Sequence, residues 1–263
     1  MLYKAGFIGC GNMGGALARA ASKCVGNIAV CDNDHIKTSL LCNECGAVAT
    51  DAINIINSSE FVFLGLKPQI MRDAITPWVD TINSSDATIV TMAAGLSISF
   101  FESVLGINRP IIRIMPNTPC SIGSGMILYS CNESVTAERE RTFIEVMNGA
   151  GLLDKIQENL IDAASTVSGC GPAFAFIFAE ALADAGVECG LPRDKAILYA
   201  SQMLKGSAEL ILDKGSPATL KDNVCSPGGT TIAGVHALES AGFRAAAMNA
   251  VVSAYKRTLE LKK

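Results

Sequence analysis

The feature that most constrains the fold of this chain is a Gly-x-Gly-x-x-Gly motif at Gly9–Gly14. The stretch Tyr3–Ile8 before it has the pattern of a strand, and residues 13–22 after it have the pattern of a helix. A second strand, predicted over residues 27–31, completes a strand–helix–strand unit. In that context the motif is typical of a turn that binds the phosphates of a dinucleotide.

Each residue of the motif has its own part in this prediction. Gly9 allows the tight turn, Gly11 lets a pyrophosphate approach, and Gly14 permits close packing of helix and strand. The backbone amides of Asn12 and Met13 are expected to point at the phosphates. We therefore predict that all five residues bind the cofactor.

Strand and helix patterns alternate along the first half of the chain. This alternation is typical of an α/β protein with a parallel sheet covered on both faces by helices. We therefore predict a doubly wound, Rossmann-type sheet. A helix is predicted at residues 36–44, and further strands at residues 60–66, 88–92 and 111–115, with an edge strand at 126–130.

The pattern changes near residue 160, and from Ile161 onward only helical periodicity is found. The helix predicted over Pro172–Ala185 is apolar nearly all round, so it has to be buried on most of its faces. For a second domain of about 100 residues, a partner subunit is the natural cover. We predict a dinucleotide-binding domain at residues 1–160 and an all-helical dimerisation and substrate-binding domain at 161–263. Glycine and proline interrupt the helices at residues 169–172, 190–192 and 214–217.

Composition and charge argue against several classes of protein. Apolar residues make up 49% of the chain and charged residues 17%, which does not fit a disordered chain. A net charge of −4 gives no reason to expect nucleic acid as a partner. The chain opens without a charged-then-apolar leader, and no apolar run approaches the roughly 20 residues of a membrane helix. We expect a cytoplasmic protein without a membrane partner.

The ten cysteines are scattered through apolar segments, so reduced thiols are expected. Cys42 and Cys45 form a C-x-x-C pair, a spacing that can hold a metal or support redox chemistry. No second pair occurs, and only His35 and His236 offer imidazoles. Two free thiols on a helix are the favoured interpretation, and no metal is predicted.

An anion-binding cradle is predicted at Cys225–Gly234, which reads CSPGGTTIAG. Ser226 is expected to cap a helix and Pro227 to occupy its first position. The two glycines remove side chains that would block a ligand, and the two threonines add hydroxyls. Amides at the positive end of a helix dipole suit a small carboxylate or phosphate.

Three further loops leave the carboxyl ends of predicted strands, where doubly wound sheets bind their ligands. Their small residues and prolines form close, rigid walls suited to a flat nicotinamide ring. The residues predicted to bind the cofactor there are Leu66, Lys67, Pro68, Ala94, Gly95 and Asn117.

The end of the second strand bears on the choice between NADH and NADPH. Asp32 lies there, about 20 residues after the glycine motif, where a carboxylate usually accepts from the ribose 2′-hydroxyl and repels a 2′-phosphate. Asn33, His35 and Lys37 follow, and a loop could present them to a phosphate instead. Asp is also a common turn former. Asp32 and Asn33 are candidate cofactor ligands, and both cofactors stay open.

Six blocks of the sequence, taken in order, resemble the pyrroline-5-carboxylate reductases. The last block is far more discriminating than the glycine motif, and the match covers essentially the whole chain. Cys170 stands where that family often has a serine, a nearly isosteric exchange. The blocks are Gly9–Gly14, Val62–Gln69 (VFLGLKPQ), Ala93–Gly95, Arg113–Pro119 (RIMPNTP), Val167–Ala173 (VSGCGPA) and Lys221–Leu238 (KDNVCSPGGTTIAGVHAL).

The resemblance implies a Rossmann domain followed by a helical domain that dimerises by interleaving. It implies the last step of proline biosynthesis, in which NADH or NADPH reduces C5 of the cyclic imine 1-pyrroline-5-carboxylate to give L-proline. Ser226, Thr230 and Thr231 then form the substrate carboxylate clamp, with Thr231 nearest the imine nitrogen as the catalytic residue. Gly229 and Val224 complete the expected substrate site. A homodimer is expected, and a larger homo-oligomer is also consistent.

Several single residues have two interpretations. His236 is either catalytic or an ordinary helix residue. Glu180 and Asp184 form either a paired acid site or part of a subunit interface, the latter being favoured. Arg113 either positions a cofactor loop or forms a structural ion pair.

Two other functions are compatible with a Rossmann half. The β-hydroxyacid dehydrogenases resemble one another in a catalytic lysine on the first long helix of the second domain, and Gly169–Glu180 contains none. A nucleotide sensor or scaffold would not need the cradle at Ser226–Thr231, so its presence argues against that class.

Overall fold

The computed structural model describes residues 1–261. The described residues form two compact units, of which the first comprises Met1–Gly169 and the chain from Tyr255 onward. The second unit is Cys170–Ala254. The predicted domain boundary at residue 160 stays a prediction.

The first unit is built on one eight-stranded sheet with the strand order β3-β2-β1-β4-β5-β6-β7-β8. The strands are parallel from β3 to β6, β7 is antiparallel to β6, and β8 is parallel to β7. The doubly wound α/β fold is confirmed. The strands are Tyr3–Ile8 (β1), Ile28–Cys31 (β2), Val48–Ala49 (β3), Ser59–Leu64 (β4), Thr88–Thr91 (β5), Ile111–Met115 (β6), Gly125–Cys131 (β7) and Gly151–Lys155 (β8).

Two strands, β3 and β8, were not predicted, and the position predicted for a third strand in the sheet was wrong. The strand expected at the edge over residues 126–130 is β7, and β8 lies outside it, so β7 is internal. The sequence of β8, GLLDK, ends in two charged residues and therefore lacks the apolar pattern of a strand. Most of its residues are exposed. β3 has only two residues, both exposed.

Helices cover both faces of this sheet. Side-chain caps mark several helix starts: Asp34 accepts a hydrogen bond from the amide of Ile36, and Asp51 accepts one from Asn54. The helices of this unit are Asn12–Cys24 (α1), His35–Cys45 (α2), Ala52–Ser58 (α3), Met71–Ile75 (α4), Val79–Ser84 (α5), Ile98–Leu105 (α6), Ala137–Met147 (α7) and Glu158–Ser168 (α8).

The central strand β4 shows why the sheet is buried on both sides. Phe61 and Phe63 belong to one apolar cluster, and Val62 and Leu64 belong to the other. Successive side chains of a strand point to opposite faces, so a strand covered on both faces is a continuous apolar run. All four side chains are fully buried.

The second unit is helical, and its helices break near the predicted glycine and proline positions. Few of its side chains are buried within the chain: Ala183, Ala196 and Ala200 are the buried residues among those described. Its helices are Gly171–Glu188 (α9), Arg193–Lys214 (α10), Pro217–Asn223 (α11) and Thr230–Ser240 (α12), and Phe243–Leu261 (α13) continues into the first unit.

The expectation that no apolar run approaches the length of a membrane helix is wrong for one stretch. Glu158–Glu188, which contains α8 and α9, is long and apolar enough to cross a membrane by length and composition. A single such stretch is weak evidence for a span, because core helices of soluble proteins share these properties.

Candidate active site

The loop after β1 forms a glycine contact with the loop after β4, its neighbour in the sheet. Gly9 has φ +96°, a conformation that glycine adopts at little cost. A Cβ on Gly9 would lie 2.6 Å from the carbonyl oxygen of Gly65, and a Cβ on Gly14 would overlap the carbonyl oxygen of Gly9. The two loops therefore meet backbone to backbone at the point where the strand order reverses, which is the usual ligand crevice of such sheets.

Gly11 differs from these glycines, since a Cβ there would have open space around it. It is the N-cap of α1, and no side chain caps this helix. The first-turn amides of Asn12, Met13 and Gly14 have no partner within the helix, and the first turn contains no acidic residue. An open approach to unpaired amides at a helix N-terminus fits the pyrophosphate of a dinucleotide.

Asp32, at the end of β2, is bound to the glycine loop. Its Oδ2 accepts a hydrogen bond from the Cys10 amide at 2.6 Å, and its Oδ1 accepts one from the Asp34 amide at 2.8 Å. Asp32 therefore holds the turn that leads into α2. Its carboxylate also lies beside the predicted phosphate site.

Cys10 lies inside the glycine motif, and its thiol is buried. Burial, and then the charge of Asp32, raises the pKa of Cys10 to about 12. The thiol is therefore protonated at neutral pH and is a poor nucleophile. Cys10 fills space beneath the loop.

The loop after β6 is fixed by the side chain of Asn117. Its Nδ2 donates to the carbonyl of Ser168 at 2.9 Å, and its Oδ1 accepts from the amide of Met126 at 2.9 Å. The side-chain amide thus serves the fold, and it ties this loop to the end of α8.

Arg113 forms a buried ion pair, one of the two predicted interpretations. Its guanidinium lies 2.8 Å from Asp162 and 3.1 Å from Glu158, both on α8. Oε1 of Glu158 also accepts from the amide of Ile98 at 2.6 Å, at the start of α6. One charged cluster therefore connects strand β6 and the start of α6, which follows β5, to the same helix.

The pattern of Ser226–Gly229 differs from the prediction. Residues 226–229 form a turn in which the Gly229 amide donates to the Ser226 carbonyl at 3.0 Å. Pro227 and Gly228, with φ +70°, occupy the positions that a type II turn requires. The expectation that Ser226 caps the helix and Pro227 begins it is wrong, because Gly228 in this conformation cannot be helical. The N-cap is Gly229 and α12 begins at Thr230.

The turn still presents the hydroxyls and amides on which the predicted cradle depends. The side chain of Ser226 lies so close to Gly229 that a Cβ there would overlap the hydroxyl oxygen. Thr230 and Thr231 open α12, where first-turn amides lack helical partners and no acidic residue is present. Ser226, Thr230, Thr231 and Val224, which precedes the turn, are exposed in the isolated chain.

Two of the remaining candidates of the second unit, Glu180 and Asp184, lie on α9, and the third, His236, lies on α12 after this turn. Asp184 pairs with Arg193, which joins α9 to α10. Glu180 lines the same groove as this pair. His236 is exposed on α12. None of these observations gives the three residues a catalytic partner among the described side chains.

Asp51 was not among the predicted site residues, and it lines a pocket at the end of β2 together with Asp32. Asp51 follows the two-residue strand β3, so the strand that could have drawn attention to it was itself not predicted. The remaining loop candidates Leu66, Lys67, Pro68, Ala94 and Gly95 follow β4 and β5, at the edge where β1 ends.

Two models of protein families match this chain, one in its N-terminal part and one in its C-terminal part. Residues 158–261 match the model for pyrroline-5-carboxylate reductase dimerisation. Residues 4–95 match the model for NADP oxidoreductase, coenzyme F420-dependent. The pyrroline-5-carboxylate reductase of Escherichia coli is 38% identical, with full coverage of both chains. This chain belongs to the pyrroline-5-carboxylate reductase family.

Other members of the pyrroline-5-carboxylate reductase family agree in sequence and in structure. Pyrroline-5-carboxylate reductase 3 of Danio rerio is 39% identical over 98% of this chain and 91% of its own. The reductase of Coxiella burnetii superposes with a TM-score of 0.91 at 29% identity, with full coverage of both chains. That of Plasmodium falciparum, solved with NADP bound, has a TM-score of 0.87 at 29% identity and covers 99% of this chain and 100% of its own. The chain is accordingly an NAD(P)H-dependent oxidoreductase.

Proposed function

We propose that this chain reduces 1-pyrroline-5-carboxylate to L-proline, the last step of proline biosynthesis. When bound, NADH or NADPH supplies a hydride to the imine carbon of the ring, which is C5 in the numbering of proline, and the ring nitrogen gains a proton. The observation that carries this assignment is the turn at Ser226–Gly229 followed by the open N-terminus of α12. It offers amides and hydroxyls to one carboxylate in a chain that also has a dinucleotide loop.

The substrate carboxylate is bound by the hydroxyls of Ser226, Thr230 and Thr231 and by the first-turn amides of α12. The amide of Gly229 donates to Ser226, so Gly229 contributes a close backbone contact to the substrate instead. The helix dipole of α12 favours this negative charge, and the lack of acidic residues in the first turn leaves that field uncompensated. Val224 supplies an apolar contact beside the turn.

Thr231 positions the ring nitrogen by a hydrogen bond that its hydroxyl accepts from the N–H of the protonated imine. A hydroxyl is far too weak an acid to serve as a general acid near neutral pH, so we assign it no proton of its own to give. A protonated imine is already electrophilic. Holding the substrate at both ends therefore supplies much of the rate acceleration.

The cofactor is held by the first unit. Gly9, Gly11 and Gly14 and the amides of Asn12 and Met13 bind the pyrophosphate. The side-chain amide of Asn117 forms hydrogen bonds within the protein. The contact of this loop with the cofactor is therefore made by its backbone. The other proposed contacts are Asp32, Asn33, Leu66, Lys67, Pro68, Ala94 and Gly95.

We further propose a cytoplasmic homodimer, with functional domains at residues 1–160 and 161–263. The exposed apolar helices of the second unit support the dimer, because a single chain leaves them in water.

The test of this function is steady-state kinetics with 1-pyrroline-5-carboxylate on the wild type and on Thr231→Ala. We expect kcat to fall by about 100-fold, a typical cost of misplacing a bound substrate, while the affinity for the dinucleotide stays within about twofold. Thr231→Ser keeps the hydroxyl and should recover most of the rate.

Ser207→Ala, which removes an exposed hydroxyl on α10, is the matched control and should behave as wild type. Normal turnover of Thr231→Ala would remove Thr231 from the mechanism. If the wild type binds dinucleotide and shows no turnover, the sensor function replaces the reductase.

A further inference from the structure

The pocket at the carboxyl end of β2 has the wrong charge for a phosphate. It has a volume of about 500 Å³, within the range of small-molecule sites. Asp32 and Asp51 line it, and none of its described lining residues is a lysine or arginine. His35 is the one lining side chain that can carry a positive charge. The fold places the adenosine ribose of a dinucleotide at this end of the second strand.

The positive end of α2 is not available to a phosphate either. Asp34 caps this helix, and its Oδ1 accepts from the Ile36 amide at 3.0 Å. Lys37 lies 3.4 Å from Oδ2 of the same Asp34. The Ile36 amide, and after it Lys37, hold the pKa of Asp34 below its ordinary value. The helix dipole and the neighbouring cation are thus both matched to a carboxylate of the chain itself.

Asp32 cannot readily turn away from the pocket. Both of its oxygens accept backbone hydrogen bonds, from Cys10 and from Asp34, which fix the plane of the carboxylate. Each oxygen keeps a further lone pair that can accept a hydroxyl. The negative charge of the pocket also acts on Cys31, which lines it. Burial, and then the charges of Asp51 and Asp32, raise the pKa of the Cys31 thiol.

We propose that this pocket selects NADH over NADPH and that Asp32, Asp34 and Asp51 are the specificity-determining residues. The 2′-hydroxyl of NADH can donate to a fixed carboxylate. The 2′-phosphate of NADPH would bring further negative charge to a pocket lined by Asp32 and Asp51. Asp34 lies between the lining residues Asn33 and His35, and the described residues offer no uncommitted Lys or Arg there. The inference rests on the dinucleotide site of the proposed function but not on the choice of substrate.

The first experiment is equilibrium binding of NADH and of NADPH, followed by nicotinamide fluorescence at pH 8. We expect NADH to bind about tenfold more tightly or better. The ratio should narrow when ionic strength rises from about 0.01 M to about 0.15 M, because salt screens repulsion between charges.

Two variants remove charge while keeping the helix caps, since asparagine caps a helix as well as aspartate does. Asp34→Asn also frees Lys37, and Asp51→Asn preserves the start of α3. Each should tighten NADPH binding by about threefold to tenfold and leave NADH binding within about twofold. Asp80→Asn, in the first turn of α5, is the matched control and should change neither affinity.

Equal or tighter binding of NADPH to the wild type would overturn the inference, as would variants that leave the ratio unchanged. Failure to bind either dinucleotide would overturn the cofactor site as a whole. Selective binding of NADH without turnover of 1-pyrroline-5-carboxylate would support the inference and contradict the proposed function alone.

Discussion

The two units of the molecule treat their apolar side chains in opposite ways. In the first unit, Phe61 and Phe63 are completely buried between the sheet and its helices. In the second, Phe176 and Ile177 on α9 are each 65% exposed, and Leu212 on α10 is 80% exposed. The first unit completes its core within one chain, whereas α9 of the second unit is apolar around most of its surface and still lacks cover. The second unit is therefore a core that one chain supplies only in part.

The largest expected effect follows from placing a charge in that uncovered core. Ile177→Asp would bury an unpaired carboxylate at the subunit contact of the proposed dimer, twice per dimer by symmetry, at a cost of several kcal/mol. We expect a monomer in light scattering and a loss of kcat/KM of about 100-fold or more.

The matched control is Ile107→Asp, in a loop of the first unit where the side chain is 73% exposed. This variant should keep the mass and the activity of the wild type. A dimeric Ile177→Asp variant would contradict the proposed role of α9.

A smaller effect is expected from the buried charges of the first unit. Arg113→Leu removes the guanidinium that pairs with Asp162 and Glu158, and removal of one partner of a buried pair typically costs about 3 kcal/mol. Urea unfolding followed by the fluorescence of Trp78, the single tryptophan, should show this loss.

The comparison variant is Arg19→Leu, which breaks the half-exposed pair with Glu44 and should cost less than about 1 kcal/mol. Equal losses in the two variants would mean that burial of the Arg113 cluster contributes nothing.

The smallest effect concerns pH. The pKa of Cys10 is raised to about 12 by burial and then by Asp32, against an ordinary value of 9.0. The unfolded chain therefore releases this proton first, and stability is expected to fall as pH rises from 9 toward 12. For one thiol the loss is at most about 1.4 kcal/mol per pH unit.

Urea unfolding of the wild type and of Cys10→Ala at several pH values above 9 measures this slope. The variant should show a shallower decline than the wild type. The same dependence of unfolding free energy on pH in both proteins would contradict the predicted contribution of the Cys10 thiol.

The sequence was sufficient for the features that depend on local pattern. The continuous apolar run in β4 and the glycines of the first turn predicted a doubly wound sheet, because period and backbone freedom are readable in one dimension. β8 was not predicted because its sequence, GLLDK, has no strand periodicity. It pairs only with β7, which lies on the far side of α7 in the sequence.

The candidate site could be predicted only as far as residue types allow. Ser-Pro at residues 226–227 is equally compatible with a helix start and a type II turn, and φ of Gly228 decides between them. Likewise, the ion pairs of Arg113 depend on where α8 packs, which no local pattern records.

The contact between Gly9, Gly14 and Gly65 limits how this part of the sequence can drift. Each α-carbon lies against the backbone of another, so a side chain at one position cannot be accommodated by shrinking a side chain elsewhere. Compensating substitutions, the usual route by which cores exchange residues, are closed to all three positions. A library randomised at these positions should return glycine at each, while Gly11, with open space around it, would be constrained by the ligand alone.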